Sequence, residues 1–142
     1  MTRRMNAHSA DLVPHDADAR SLMDQCRNRR WYLLQQFARL EIALKQRLEN
    51  PPKTFGLKIR AWIKIDDTAK PFVPLIAARN LVAHASVQCV RAKSITYALW
   101  EVAEGTDDLN CAKFDKPALK VWADKLDDLL DQAVATATAE RK

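Results

Sequence analysis

The sequence predicts an all-α protein, a four-helix bundle with a small β-hairpin inserted before the last helix. Three observations carry that expectation. Leu33, Phe37, Leu40, Leu44 and Leu48 recur at steps of four, three, four and four, which is a single apolar stripe at the helical period. Apolar residues make up 48% of the 142 residues, enough for one core, while only 2 residues are Gly. So few glycines exclude a Gly-rich phosphate loop or dinucleotide fingerprint, which needs several set close together. The run Ile95-Thr96-Tyr97-Ala98-Leu99-Trp100-Glu101-Val102 departs from the helical period and is rich in β-branched and aromatic side chains, as a strand would be.

Residues 1–18 are polar and aperiodic and are expected to form a flexible arm, leaving 19–142 as one helical domain. Asp18 or Ser21 is placed to cap a first helix over about 21–49, which Asn50-Pro51-Pro52 ends because proline disfavours helical geometry in its predecessor. A second helix is expected over 54–65 with Phe55, Ile59, Trp62 and Ile63 inward and Lys58, Arg60 and Lys64 on its surface. After an Asp66-Asp67-Thr68 turn, a third helix should start at Pro71 or Pro74, both tolerable in a first turn, and reach Ala85. The strand at 95–102 then turns through Gly105 and returns over 110–114. Asp115 is expected to cap the last helix, with Pro117 in its first turn. Its inner stripe is Leu119, Trp122, Leu126, Leu129, Ala133 and Ala137, and Asp124, Asp127, Asp128 and Asp131 lie mostly outside.

Charge is uneven. The 23 Lys and Arg outnumber the 18 Asp and Glu, a balance of +5, and the excess sits before residue 101 while the last stretch is acidic. A basic portion can meet a polyanion such as nucleic acid, although helix faces of differing sign explain the same pattern. Three cysteines, Cys26, Cys89 and Cys111, have no Cys-x-x-Cys spacing, do not suggest a disulfide framework and read as small buried hydrophobes suited to a reducing cytoplasm. His8, His15 and His84 have no Cys or His partner at short ligand spacing, so no metal site or cofactor is expected. No apolar run is long enough for a signal peptide or a membrane span, so no membrane partner is expected.

The informative segment is Leu75-Ile76-Ala77-Ala78-Arg79-Asn80-Leu81-Val82-Ala83-His84-Ala85. At about 100° per residue, Phe72, Leu75, Val82 and Ala83 share a face and Arg79 falls among them. Asn80 and His84 are one turn apart on the adjoining flank. A guanidinium in an apolar sector needs a partner or a cleft. Two readings follow: Arg79 pairs with Glu41 as an interior or interface ion pair, or Arg79, Asn80 and His84 form a site.

The string Arg79-Asn80-Leu81-Val82-Ala83-His84, late in a helix of a four-helix domain, resembles the signature of the HEPN superfamily, an Arg followed after four to six residues by His. Arg39-Leu40-Glu41 in the first long helix, Thr54-Phe55-Gly56 opening the second and the closing amphipathic helix are similar to the family's layout over residues 20–140. The resemblance implies a metal-independent ribonuclease acting on RNA as a homodimer whose motif helices meet. It makes Arg79 the phosphate-binding residue, Asn80 its polar neighbour, His84 the catalytic imidazole and Glu41 a supporting acid. It also implies partners in some members, a cognate antitoxin or a nucleotidyltransferase that modifies a Tyr two residues after the His; that place here is Ser86. Other members have lost catalysis and bind partners through the same region.

The chemistry that the resemblance implies is coherent without a metal. RNA carries its own nucleophile in the 2′-hydroxyl, an imidazole exchanges protons near neutral pH, and a guanidinium donates paired hydrogen bonds to phosphate. Arg79 and His84 stand about 140° apart around one helix, a separation that a site shared across a dimer would relieve. Trp31, Trp62, Trp100 and Trp122 read chiefly as core, with base stacking the alternative. The run Arg27-Asn28-Arg29-Arg30 reads equally as helix surface or phosphate contact.

Overall fold

A computed structural model describes residues 16–102 and 111–139. Among the described residues there are four α-helices: α1 (Ala17–Arg47), α2 (Phe55–Ile65), α3 (Pro74–His84) and α4 (Lys116–Thr138). A 3-10 turn, Asp67–Phe72, joins α2 to α3. Between α3 and α4 lies a three-stranded antiparallel sheet of β1 (Ser86–Ala92), β2 (Ile95–Glu101) and β3 (Cys111–Phe114), in the order β1-β2-β3. The fold is therefore mostly helical, and the expected hairpin is part of a larger sheet.

The extra strand, β1, was hidden for a physical reason. Lys93 and Ser94 both adopt positive φ, 52° and 68°, making a two-residue turn that pairs Ala92 with Ile95. Lys-Ser lacks the Asn-Gly chemistry that usually marks such a turn, and Ser86–Ala92 buries only Cys89 fully. The expected pairing of 95–102 with 110–114 is present between β2 and β3, with Ala98 opposite Phe114 and Glu101 opposite Cys111. The turn expected around Gly105 lies outside the described residues.

Helix α1 starts earlier than expected. Asp16 is its N-cap, accepting from the Ala19 amide at 2.8 Å, so residues 16–18 belong to the helix start and not to an arm; residues 1–15 lie outside the described residues. Asp16 also takes the Arg91 guanidinium, which fastens the helix start to β1. The other ends match local chemistry. Thr54 caps α2 by accepting from Leu57, Asp115 caps α4 by accepting from Ala118, and Pro74 and Pro117 stand in first turns.

Two apolar clusters share the long α1. The larger joins Leu33, Phe37, Leu40 and Leu44 of α1 to Phe55, Ile59 and Trp62 of α2, Phe72, Leu75 and Val82 around α3, and Leu126 and Leu130 of α4. Trp62 stacks on Phe72 at 5.5 Å, and Phe37 meets Phe55 edge-on at 5.4 Å. The second joins Leu22 and Cys26 of α1 to Leu81, Cys89, Trp100, Phe114 and Leu119 at the sheet. Each fully buried side chain of this size contributes about 1.5–3 kcal/mol of transfer free energy. Three expectations fail on burial. Trp31 is 66% exposed, Lys58 is only 2% exposed, and Cys111 is exposed where Cys26 and Cys89 are buried.

Candidate functional site

The first helix meets α3 at two polar contacts, Arg79 with Glu41 and Arg30 with the Ala83 carbonyl. This pairing, together with the first turn of α2, shapes a groove of about 700 Å³. Glu41, Arg79, Asn80 and His84 all line it. The four candidate residues, 43 positions apart at their extremes, are thus brought to one depression by three helices.

The Arg79–Glu41 ion pair expected from the helical wheel is formed, with Nη2 donating to Oε1 at 3.4 Å. Arg79 and Glu41 are 27% and 23% exposed at their side chains, so the pair is half-buried and open on its groove side. The guanidinium also lies 5.9 Å from the centre of the Phe55 ring, a cation–π contact. Its Nε is buried with no hydrogen-bond partner among the described residues. Arg79 is therefore held by Glu41 at one end and against the Phe55 ring, with its Nε enclosed by protein.

Lys58 was missed as a site residue. It lies inside the protein, with Nζ donating to Glu41 Oε2 at 3.4 Å and to the Lys53 carbonyl at 2.9 Å. A signal existed: Lys58 follows Phe55 by three and precedes Trp62 by four, which puts it inside the inward sector of α2. Glu41 consequently serves two cations, one on each oxygen.

The groove walls follow from local sequence. A Cβ on Gly56 would stand 3.2 Å from Ile76 Cγ2, so the missing side chain lets the start of α2 approach α3 closely. Lys53 and Arg60 add positive charge to the lining, and Glu41 is its sole acid among the described residues. His84 is exposed in the last turn of α3, where a cation is favoured by the helix dipole. Beside it, Arg30 Nη2 donates to the Ala83 carbonyl at 3.1 Å and closes the helix end.

The other singled-out features separate cleanly. In the Arg27–Arg30 run, Arg27 pairs with Asp24 and Arg29 with Asp124, so two of the three guanidiniums serve surface ion pairs. Trp62 and Trp100 are core, and Trp122 is partly buried against Trp100 and Phe114. Among the described residues, no group of three or more His, Cys, Asp or Glu stands ready to hold a metal ion, and no helix is long and apolar enough to cross a membrane. No family model matches the chain, and no curated protein and no solved structure matches it.

Proposed function

We propose that the chain is a metal-independent endoribonuclease of the HEPN type, acting as a toxin or as a defence or stress nuclease. The observation that carries this reading is the convergence of Arg79, Asn80, His84 and Glu41 on one cation-rich groove. RNA is the substrate whose charge suits that lining and whose 2′-hydroxyl supplies the nucleophile. His84 takes the 2′-hydroxyl proton, the 2′ oxygen attacks the adjacent phosphorus, and the bond from phosphorus to the 5′ oxygen breaks. The departing oxygen takes a proton from an imidazolium or from water. Arg79 holds the phosphate oxygens as charge builds on them, and Asn80 orients the phosphate or the imidazole. The products are a 2′,3′-cyclic phosphate and a 5′-hydroxyl.

The reading includes a homodimer formed through the motif helix. Leu57 and Val73 on the groove lining are 55% and 39% exposed, and a second copy would bury both while bringing a second His84 to the first Arg79. Light scattering at micromolar concentration should give twice the chain mass; a monomer sinks the shared site. In EDTA the protein should cut RNA, and His84→Ala should abolish cutting with no change in folding. Cutting that requires added metal, or that survives His84→Ala, defeats the mechanism.

One observation favours a second reading. Glu41 already occupies part of the Arg79 guanidinium, as in a groove that binds a protein or nucleotide partner without cutting. Failure of the wild type to cut any RNA, with the dimer intact, supports that module. An antitoxin or a nucleotidyltransferase is the partner class that follows from the family resemblance.

A further inference from the structure

Lys58 has no part in the mechanism above, yet it is the one buried cation among the described residues. An ammonium with 2% exposure is costly unless its donors are satisfied, and here they go to Glu41 Oε2 and the Lys53 carbonyl. Glu41 offers its other oxygen to Arg79. The three side chains together hold two positive charges and one negative, so the cluster carries a net +1 toward the groove.

Without Lys58, both Glu41 oxygens would be free to take the guanidinium in a two-pronged pair. Arg79 would then be drawn inward and neutralised, and the cluster would carry no net charge. The geometry points to Lys58 as a positioning residue: by holding Oε2 of Glu41, it leaves Arg79 only partly neutralised and available to an anionic phosphodiester. The same ammonium ties the Lys53 carbonyl, so it also sets the bend from which Thr54 and the first turn of α2 enter the groove wall. The inference rests on the ribonuclease reading for the identity of the anion, but not on whether the anion is cut.

The test therefore uses binding of a short fluorescent oligodeoxynucleotide, which carries phosphodiesters and lacks the attacking hydroxyl. Anisotropy titrations are compared for wild type, Lys58→Met and the double variant Lys58→Met with Glu41→Gln. Lys58→Met should weaken binding by about tenfold, the size expected from removing one nearby charge in a half-buried site. The double variant returns the cluster to +1 and should bind within about threefold of wild type. A purely structural role for Lys58 would not be rescued by removing a second partner. Melting curves of all three proteins are recorded and affinities are compared per folded molecule; Lys58→Met keeps the Arg79–Glu41 pair and so buries no unpaired charge, whereas the double variant leaves Arg79, 27% exposed, to the groove. No binding by wild type, unchanged binding in Lys58→Met, or no recovery in the double variant overturns the inference. The expected binding pattern in a protein that never cuts RNA keeps the inference and removes the ribonuclease reading.

Discussion

The two ends of α1 enter cores of different character. Toward its N-terminus, Leu22 and Cys26 pack with the sheet residues Cys89, Trp100 and Phe114, and no charged side chain is buried among them. Burial pushes the Cys26 thiol up to about 11, against a weaker pull from the indole of Trp100 beside it. A thiol so held stays protonated and inert. Toward its C-terminus, the same helix brings Glu41 against a buried Lys58 and a half-buried Arg79 beneath an open groove. The first core is apolar, with the Asp16–Arg91 pair at its edge, whereas the second meets a buried ammonium and a shared carboxylate.

Variants at the two ends should dissociate activity from stability. The largest effect on activity is expected for His84→Ala, which should take RNA cutting down to background, a loss of at least about 10²–10⁴, while changing unfolding free energy by no more than about 0.5 kcal/mol, since the side chain is exposed. Trp100→Ala should do the reverse. It removes a fully buried ring packed at 6.0 Å from Phe114 and 5.6 Å from Trp122, at a cost of about 3–5 kcal/mol in urea denaturation. Any loss of cutting in Trp100→Ala should track the unfolded fraction, and the folded remainder should retain its full rate. A catalytic defect in fully folded Trp100→Ala protein would break the comparison.

The smallest effect lies in the 3-10 turn before α3, which is held by its N-cap Asp66. Its carboxylate accepts from the Thr68 hydroxyl and amide, and pairs with Arg47 at 3.0 Å. Arg47 in turn donates to the carbonyls of Ala137 and Ala139 and so ties α4 to the same corner. The Thr68 hydroxyl, chiefly, and then its amide and the Arg47 guanidinium hold the Asp66 carboxyl below its ordinary value of 3.8, against a partial opposing effect of burial. Because the folded form is the stronger acid, its contribution is complete above 3.8 and is lost as pH falls through the lower folded value. Asp66→Ala should cost about 1–2 kcal/mol at neutral pH. Its melting temperature should approach that of wild type as the solution is acidified below that range; parallel curves would show that the carboxylate contributes nothing.

Much of the helical framework was legible because it rests on local chemistry. The stripe through Leu33, Phe37, Leu40 and Leu44, the Thr54 and Asp115 caps, and the prolines in first turns all act within a few residues, and each is where the sequence places it. The pairing of Arg79 with Glu41 was also readable, since a guanidinium among apolar neighbours demands an acid. The sheet was legible only in part. β2 has strong strand composition, whereas β1 is stabilised by its partner and by a positive-φ turn that Lys93 and Ser94 do not advertise.

Single-helix periodicity set the inward faces but could not assign what meets them. Trp31 has the composition of a core residue, yet α1 packs α3 and α4 on its other faces and leaves that ring outside. Lys58 has the composition of a surface residue, yet the inward sector of α2 carries it to Glu41 and the Lys53 carbonyl. The sequence by itself determined which residues can form helices and which side chains need partners, because propensity, capping and periodicity are local. Only the tertiary structure decided that Glu41 would be shared by two cations at the base of a groove, because that depends on how three helices cross and on which charges lose their water together.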